Sequence, residues 1–185
     1  MVKILSSKFY SRNTIEVAQN LLGCFLVRKY RGKIIRGMIT EVEAYVGEDD
    51  LACHASRGKT PRTEIMYGRP GFAYVYMIYG MYFCLNIVTE KEGFPAAVLI
   101  RGATVGDSIS TDRSSLRVLD GPGKLCRFLK IDKKLNGWDL TKGEKLWLEP
   151  RDPKYKFPEI EKSERIGIDY AKHCREYLWR FYMKV

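Results

Sequence analysis

The spacing of hydrophobic positions near the N-terminus predicts a helix. Asn13 followed by Glu16 is typical of a helix start of the capping-box type, and the helix should end at Gly23. Its apolar stripe consists of Ile15, Ala18, Leu21 and Leu22. Because this stripe carries no reactive group, we expect the helix to serve packing and not chemistry.

Two strands are predicted directly after this helix. They cover residues 24–28 and residues 34 to about 46, on either side of a short turn that contains a glycine. Because alternate side chains of a strand share one face, Glu41, Glu43 and Tyr45 should point the same way. The second strand therefore has one acidic and aromatic face and one apolar face.

A hairpin is predicted in the middle of the chain. Residues 72–78 and 82–88 form two strand-like runs, and a link of three residues joins them. The link is too short for anything but a tight turn. Its two large side chains, Tyr79 and Met81, should therefore lie at the tip of the hairpin.

Several further segments have simpler patterns. Residues 47–71 combine glycines, prolines and charges and predict a long loop, which in a compact domain usually has a function. Residues 96–103 predict an apolar strand whose single charge is Arg101. Gly121 and Pro122 indicate the start of a helix with open backbone amides that could hold a phosphate.

The remaining segments complete the predicted chain. Residues 106–117 are polar and predict a loop or a helix start, and residues 150–158 predict a surface excursion. Residues 165–168 and 178–185 predict closing strands. With 185 residues and no repeat, the chain is expected to form one domain over 1–185.

The charge balance points to an anionic partner. The chain has 32 Lys and Arg residues against 22 Asp and Glu, a net charge of +10. Nucleic acid or an anionic membrane surface would suit such a protein. A membrane is the weaker choice, because no apolar run approaches the ~20 residues of a spanning helix and no signal-peptide pattern is seen. We therefore expect an intracellular protein.

Cysteine and histidine usage argues against metal and disulfide chemistry. The five cysteines are odd in number and widely spaced, so paired disulfides and a CxxC zinc site are not expected. The chain has only two histidines, His54 and His173, too few for a transition-metal centre. We expect no metal and no cofactor.

Residues 74–83 form an unusual aromatic run with four tyrosines and one phenylalanine. Tyrosine rings are flat and partly polar, which suits stacking on other flat rings. The bases of a nucleic acid are such rings. One interpretation is a non-catalytic module that stacks tyrosines on single-stranded bases and binds phosphates with its basic surface.

Six motifs in chain order make the sequence resemble a known family, the alkyladenine DNA glycosylases, also called 3-methyladenine DNA glycosylases of the Mpg type. The resemblance runs over nearly the whole chain. The motifs lie at residues 41–45 (Glu-Val-Glu-Ala-Tyr), 52–54 (Ala-Cys-His), 60–62 (Thr-Pro-Arg), 74–86 (the aromatic run through Asn86), 121–126 (Gly-Pro-Gly-Lys-Leu-Cys) and 165–168 (Arg-Ile-Gly-Ile).

The resemblance implies both a fold and a reaction. The family fold is a single mixed α+β domain around a curved antiparallel β-sheet, with flanking helices and a protruding β-hairpin that enters the DNA minor groove. The reaction is that of a monofunctional DNA glycosylase without AP-lyase activity. It flips 3-methyladenine, 7-methylguanine, hypoxanthine or ethenoadenine out of duplex DNA and hydrolyses the N-glycosidic bond, in base excision repair. We expect a monomer without a stable protein partner inside the cell, in the cytoplasm or at the nucleoid if the source is a prokaryote.

The resemblance also assigns roles to residues of this chain. Glu43 matches the general base that activates water, Arg101 the arginine that helps to hold this water, and Ile166 a residue that contributes only its backbone carbonyl. The flipped base would contact Tyr45, Ala52, His54 and Tyr76, and Asn86 would crowd the exocyclic amine of guanine. Tyr79 would fill the gap in the base stack, and Met81 would press on the neighbouring step.

Without the family motifs, ordinary structural roles would fit several of these residues. Glu43 would be a solvent-facing strand charge, His54 a loop residue bonded to backbone, and Arg101 a surface ion-pair partner. Tyr74 and Tyr82 are expected to be core or sheet-packing residues. The sequence departs from the family pattern at Thr63, Tyr67 and Cys174. These departures leave a glycosylase specialised for a single lesion as another alternative.

Overall fold

A computed structural model describes residues 3–106, 116–154 and 158–183 as a curled antiparallel sheet with few helices. The helices are α1 (Ser7–Tyr10), α2 (Thr14–Leu21) and α3 (Pro122–Phe128). The strands are β1 (Phe25–Tyr30), β2 (Lys33–Val46), β3 (Ala73–Ile78), β4 (Tyr82–Val88), β5 (Ala96–Val105), β6 (Arg117–Asp120), β7 (Leu146–Glu149), β8 (Ile160–Ser163) and β9 (Arg180–Met183). The predicted α+β class is confirmed. The extent of the domain over 1–185 stays a prediction.

The predicted first helix is present as α2. The Asn13 side chain accepts hydrogen bonds from the amides of Ile15 and Glu16 at 3.0 and 3.3 Å, which caps the helix. The Glu16 carboxylate bonds to Arg12 on the preceding turn. The start is therefore capped by Asn13, while Glu16 forms an ion pair at the surface.

Strand β2 is the longest strand and organises the sheet. The strand order is β3-β4-β5-β2-β1-β7, with β6 beside β5, and β9 pairing with both β2 and β8. A register irregularity interrupts the pairing of β2 with β5 at Glu41. Gly102 lies opposite, and a Cβ there would approach the Glu41 Cβ to 3.1 Å. The glycine thus lets β5 run close to Glu41 and brings Arg101 to the same place.

The β3–β4 hairpin has the predicted bounds within one residue. Tyr79 and Gly80 have φ of +51° and +69°, and the Met81 amide donates to the Ile78 carbonyl at 3.2 Å. Tyr74 is buried, as predicted. Tyr82 was expected to be a core or sheet-packing residue. It is 41% exposed at the start of β4 and so is not in the core, but it pairs with Ile78 in the sheet and its side chain lies against Gly123 of α3.

The C-terminal prediction was wrong in part. Residues 165–168 form a loop, because Gly167 has φ +75° and the Arg165 side chain is buried against a carboxylate. The closing strands are β8 before this loop and β9 after it. A 3-10 segment, Asp169–Glu176, separates the loop from β9. Most of the predicted 106–117 loop and part of the 150–158 excursion lie outside the described residues.

Helices α2 and α3 cover the sheet and close the core. Helix α2 packs on β2 and β5, and α3 packs on β4 and β5. The largest fully buried side chains include Tyr10, Leu21, Leu26, Ile39, Leu85, Ile100, Leu125 and Phe181. None of the helices in the described part of the chain is long and apolar enough to cross a membrane.

Candidate active site

A cavity of about 350 Å³ opens beside the C-terminal end of β2, where Tyr45 lies. Small-molecule pockets typically begin at ~300 Å³, so a flat bicyclic ring system would fit. Eight of the ten residues predicted for the site line this cavity, namely Tyr45, Ala52, His54, Tyr76, Tyr79, Asn86, Arg101 and Ile166. Glu43 lies directly behind the wall, and Met81 lies outside it.

The Glu43 carboxylate is completely buried and accepts hydrogen bonds from two sides. The Ile166 amide donates to Oε1 at 2.8 Å, and the Tyr45 hydroxyl donates to Oε2 at 2.8 Å. The Arg101 Nε lies 3.4 Å from Oε1. All three partners line the cavity, so the carboxylate is held immediately behind its surface.

The surroundings of Glu43 set its basicity. Burial raises the pKa of the Glu43 carboxyl above its ordinary value, and the nearby Glu41 adds to the rise. Arg101, the Ile166 amide and the Tyr45 hydroxyl act in the opposite direction. Such a carboxylate binds a proton more readily than one in water, as a general base should.

A second carboxylate keeps Arg101 in place. Arg101 Nε donates to Glu41 Oε1 at 2.9 Å, and Arg180 Nε donates to the same oxygen at 2.7 Å. Arg101 is therefore shared between Glu41 and Glu43, with its side chain only 13% exposed. Glu41 thus orients Arg101 without lining the cavity itself.

Tyr45 forms one wall of the cavity. Its pKa is well above the ordinary value, because burial and the neighbouring Glu43 charge both disfavour the phenolate. The phenol therefore stays protonated and keeps donating to Glu43. Behind the ring, the Arg165 guanidinium lies 4.8 Å from the ring centroid.

His54 and two tyrosines form the opposite wall. His54 Nδ1 lies 2.8 Å from the Tyr74 hydroxyl, and the imidazole meets the Tyr76 ring edge-on at 4.6 Å between centroids. Burial, together with the charges of Arg62 and Arg57, lowers the pKa of His54 to about 4. His54 is thus a neutral hydrogen-bonding group at physiological pH.

The remaining predicted residues lie around the same space. Asn86 is buried on β4, and its Nδ2 donates to the Tyr74 carbonyl at 3.2 Å. The Ala52 amide already donates to Asp50 at 3.1 Å, and the Ala52 carbonyl accepts from the Tyr170 hydroxyl at 3.5 Å, which leaves the second acceptor position of that carbonyl for a ligand. The predicted carbonyl role of Ile166 stays a prediction, since the structure shows its amide bonded to Glu43.

The hairpin tip marks the mouth of the cavity. Tyr79 is 85% exposed and reaches the cavity wall. Met81 is 68% exposed and lines a separate depression of about 510 Å³ with Tyr82 and Gly123. The structure therefore brings Tyr79, but not Met81, to the cavity.

Sequence reasoning missed three residues at this site. Arg165 and Asp50 form a buried ion pair next to Tyr45, and the exposed Tyr170 lines the cavity. The sequence contained one signal for this site, the position of Arg165 at the start of the motif at 165–168. The alternation of Ile166 and Ile168 after it favoured a strand instead. Each of the five cysteines is buried and free, and no group of three potential ligands for a metal occurs within the described ranges.

Comparison with known proteins identifies similar sequences over almost the full length. The family model described as methylpurine-DNA glycosylase (MPG) matches residues 8–185. Three relatives carry the name "Putative 3-methyladenine DNA glycosylase". That of Methanocella arvoryzae is 48% identical over 191 residues, covering 98% of this chain and 92% of the relative. That of Sodalis glossinidius is 51% identical (96% and 95% covered), and that of Legionella pneumophila strain Corby 49% identical (97% and 94%).

Proposed function

Because the chain belongs to the methylpurine-DNA glycosylase family and is thus a DNA repair glycosylase, we propose that it excises damaged purines from duplex DNA. Its substrates would be 3-methyladenine, 7-methylguanine, hypoxanthine and ethenoadenine, as the first step of base excision repair. The observation that carries the proposal is the Glu43 carboxylate, fully buried and held by three groups of a tyrosine-lined cavity.

The cavity suits a flipped base. A purine would stack between Tyr45 and Tyr76, since both rings line the space and aromatic faces favour such contacts. His54 would contact the base as a neutral partner, and the Ala52 carbonyl would accept a hydrogen bond from its edge. Asn86 would oppose the exocyclic amine of guanine and so exclude the normal base.

Hydrolysis would proceed at C1′ of the flipped nucleotide. The C1′–N bond breaks, its electron pair leaves with the purine, and Glu43 stabilises the positive charge that develops on the sugar. A water held by Arg101 and the Ile166 carbonyl gives a proton to Glu43 while its oxygen bonds to C1′. Cationic alkylpurines leave readily, whereas neutral purines also need protonation and should react more slowly.

We propose that the enzyme does not cleave the DNA strand. A glycosylase with lyase activity needs an amine that attacks C1′ and forms a Schiff base. None of the described residues that line the cavity is a lysine. A water nucleophile activated by Glu43 leaves an intact abasic strand.

DNA binding would combine charge and the hairpin. The net charge of +10 favours the phosphate backbone without sequence preference. Tyr79 would occupy the space that the flipped nucleotide leaves, with Met81 on the adjacent step. In our proposal the enzyme works as a monomer on DNA inside the cell.

The proposal is tested by incubating the protein with duplexes that each carry one lesion, with an undamaged duplex as control. We expect free base and abasic sites from the lesion duplexes, and strand breaks only after alkali. Release from a single lesion alone would indicate a specialised enzyme, and breaks before alkali would reveal lyase activity. If no base is released and single-stranded DNA is bound tightly, the protein is a binding module.

A further inference from the structure

We propose that the buried Arg165–Asp50 pair is the positioning element of this active site, which fixes the Ile166 amide and the Tyr45 ring against Glu43. This inference rests on the proposed function. It concerns two residues that touch no reacting atom but hold two of the groups that do.

The pair is shielded from solvent and has ideal geometry. The Arg165 and Asp50 side chains are 0% and 1% exposed. The guanidinium donates two parallel hydrogen bonds to the carboxylate, at 2.6 and 2.8 Å. Such a bidentate contact fixes both position and plane.

Arg165 connects the pair to the strand that carries Glu43. One of its terminal nitrogens also donates to the carbonyl of Ala44, the residue between Glu43 and Tyr45, at 2.9 Å. The other donates to the Cys174 carbonyl at 3.1 Å. The next residue in the chain, Ile166, supplies the amide that holds Glu43. Because Ile166 directly follows Arg165, holding the Arg165 side chain in place also holds the position of the Ile166 amide.

The same guanidinium supports the base-stacking wall. Its carbon lies 4.8 Å from the Tyr45 ring centroid and 5.1 Å from that of Trp179. A planar cation fits against an aromatic ring in this way, whereas a lysine ammonium cannot reproduce both the stacking and the fork. Tyr45 is thus held by Glu43 at its hydroxyl and by Arg165 at its ring.

Asp50 connects the pair to the loop that carries Ala52 and His54. Its carboxylate accepts from the Val46 amide and the Ala52 amide, both at 3.1 Å. One ion pair therefore joins the end of β2, the start of the 47–71 loop, the Ile166 loop and the 3-10 segment behind it. These four pieces make up one side of the cavity.

A gain in folding stability does not explain why this ion pair is buried here. Desolvation of two buried charges offsets much of their attraction, and apolar residues of similar volume often stabilise a protein at least as well. Precise placement of neighbouring groups is what a buried, bidentate pair adds. Misplacement of a catalytic group by about 1 Å can cost ~100-fold in rate.

The test compares three variants under single-turnover conditions with enzyme in excess. Arg165→Lys keeps the positive charge but loses the bidentate hydrogen bonding to Asp50, and Arg165→Met removes both. The control is Arg28→Met, since Arg28 is also buried and donates to backbone carbonyls, those of Lys29, Lys145 and Lys130, none of which belongs to the proposed site. The readouts are the rate of hypoxanthine release, its pH dependence and the melting temperature.

We expect ~10–100-fold slower release from both Arg165 variants and a near wild-type rate from Arg28→Met, even if all three melt at lower temperature. Glu43 should lose part of its hydrogen bonding, so the acidic limb of the rate profile should move to higher pH in both Arg165 variants. The charged or titratable groups around Glu43 are Glu41, Tyr45, Cys84, Arg101, Arg165 and, through Glu41, Arg180.

The outcomes separate the alternatives. If Arg165→Met lowers the release rate and shifts its pH dependence while Arg165→Lys keeps the wild-type rate and pH dependence, only the charge at this position matters. That result would overturn the positioning role. Equal loss of rate in all three variants would assign Arg165 to general stability and overturn it too. An inactive wild type would instead contradict the proposed function.

Discussion

Glu43, directly behind the cavity wall, and Tyr79, at the cavity mouth, have contrasting surroundings. Glu43 is 0% exposed and is held by groups from β2, β5 and the Ile166 loop. Tyr79 is 85% exposed at the tip of a two-strand hairpin. The contrast suggests a division of tasks, in which the buried Glu43 is organised before substrate arrives and the exposed Tyr79 gains its contacts only on DNA.

The largest effect is expected from a substitution of the buried Glu43. Glu43→Gln keeps the shape of the side chain but removes the carboxylate that we propose as the general base, so single-turnover release of hypoxanthine should fall by about 10²–10⁴-fold. The matched control is Glu41→Gln, the same change two residues away on the same strand. It should lose far less, because Glu41 acts only through Arg101. Equal losses would remove the special role of Glu43.

The second largest effect is expected from a substitution of the exposed Tyr79. Tyr79→Ser should weaken binding to a duplex with an abasic site by ~1–3 kcal/mol, the worth of one stacking contact. Binding to undamaged duplex should change much less, and Tyr79→Phe should keep most of the affinity. Titration of labelled duplexes measures both. Equal weakening on the two duplexes would contradict a wedge.

A smaller effect tests Asn86, a buried residue that lines the cavity. Asn86→Ser should raise the release of normal guanine about tenfold, because the side chain proposed to crowd the exocyclic amine is shortened. Hypoxanthine, which lacks this amine, should be released at a rate close to that of the wild type. Base release from duplexes with and without the lesion provides the comparison. An unchanged guanine rate would reject this role for Asn86.

The smallest effect concerns the contribution of Glu43 to the stability of the folded protein. Burial raises the folded-state pKa of Glu43, so its contribution to stability is complete at low pH and is lost as the pH rises through that pKa. Glu43→Gln should therefore melt at a higher temperature than the wild type at pH 7. The difference should shrink as the pH falls below the ordinary pKa of a glutamate, about 4.3, because Glu43 then becomes protonated in both states. A variant that is less stable at pH 7 would argue against a raised pKa.

Local patterns were sufficient to predict much of the fold. The capped helix at Asn13 and the β3–β4 hairpin depend on neighbouring residues and were found with nearly correct bounds. The alternation of β2 correctly placed Glu43 and Tyr45 together, since their side chains bond to one another. The roles of the site residues came from the family resemblance and stay predictions.

Long-range contacts could not be predicted in the same way. Arg165 and Asp50 lie 115 residues apart, and no local pattern indicates that they pair. The apolar alternation at Ile166 and Ile168 resembled a strand, but Gly167 and the buried Arg165 make it a loop. Tyr82 lies beside Gly123 of α3 but is 41% exposed, because hydrophobicity alone does not show how much of a side chain at the start of β4 is covered by long-range contacts.

One measurement tests the division of tasks most directly. Wild type and Glu43→Gln are mixed with the same hypoxanthine duplex, and the fraction of duplex bound and the base released are followed in one reaction. We predict equal binding by both proteins and base release that is about 10²–10⁴-fold slower with Glu43→Gln than with the wild type. Release by Glu43→Gln at the wild-type rate would contradict the account, because the chemistry would then not depend on the buried carboxylate.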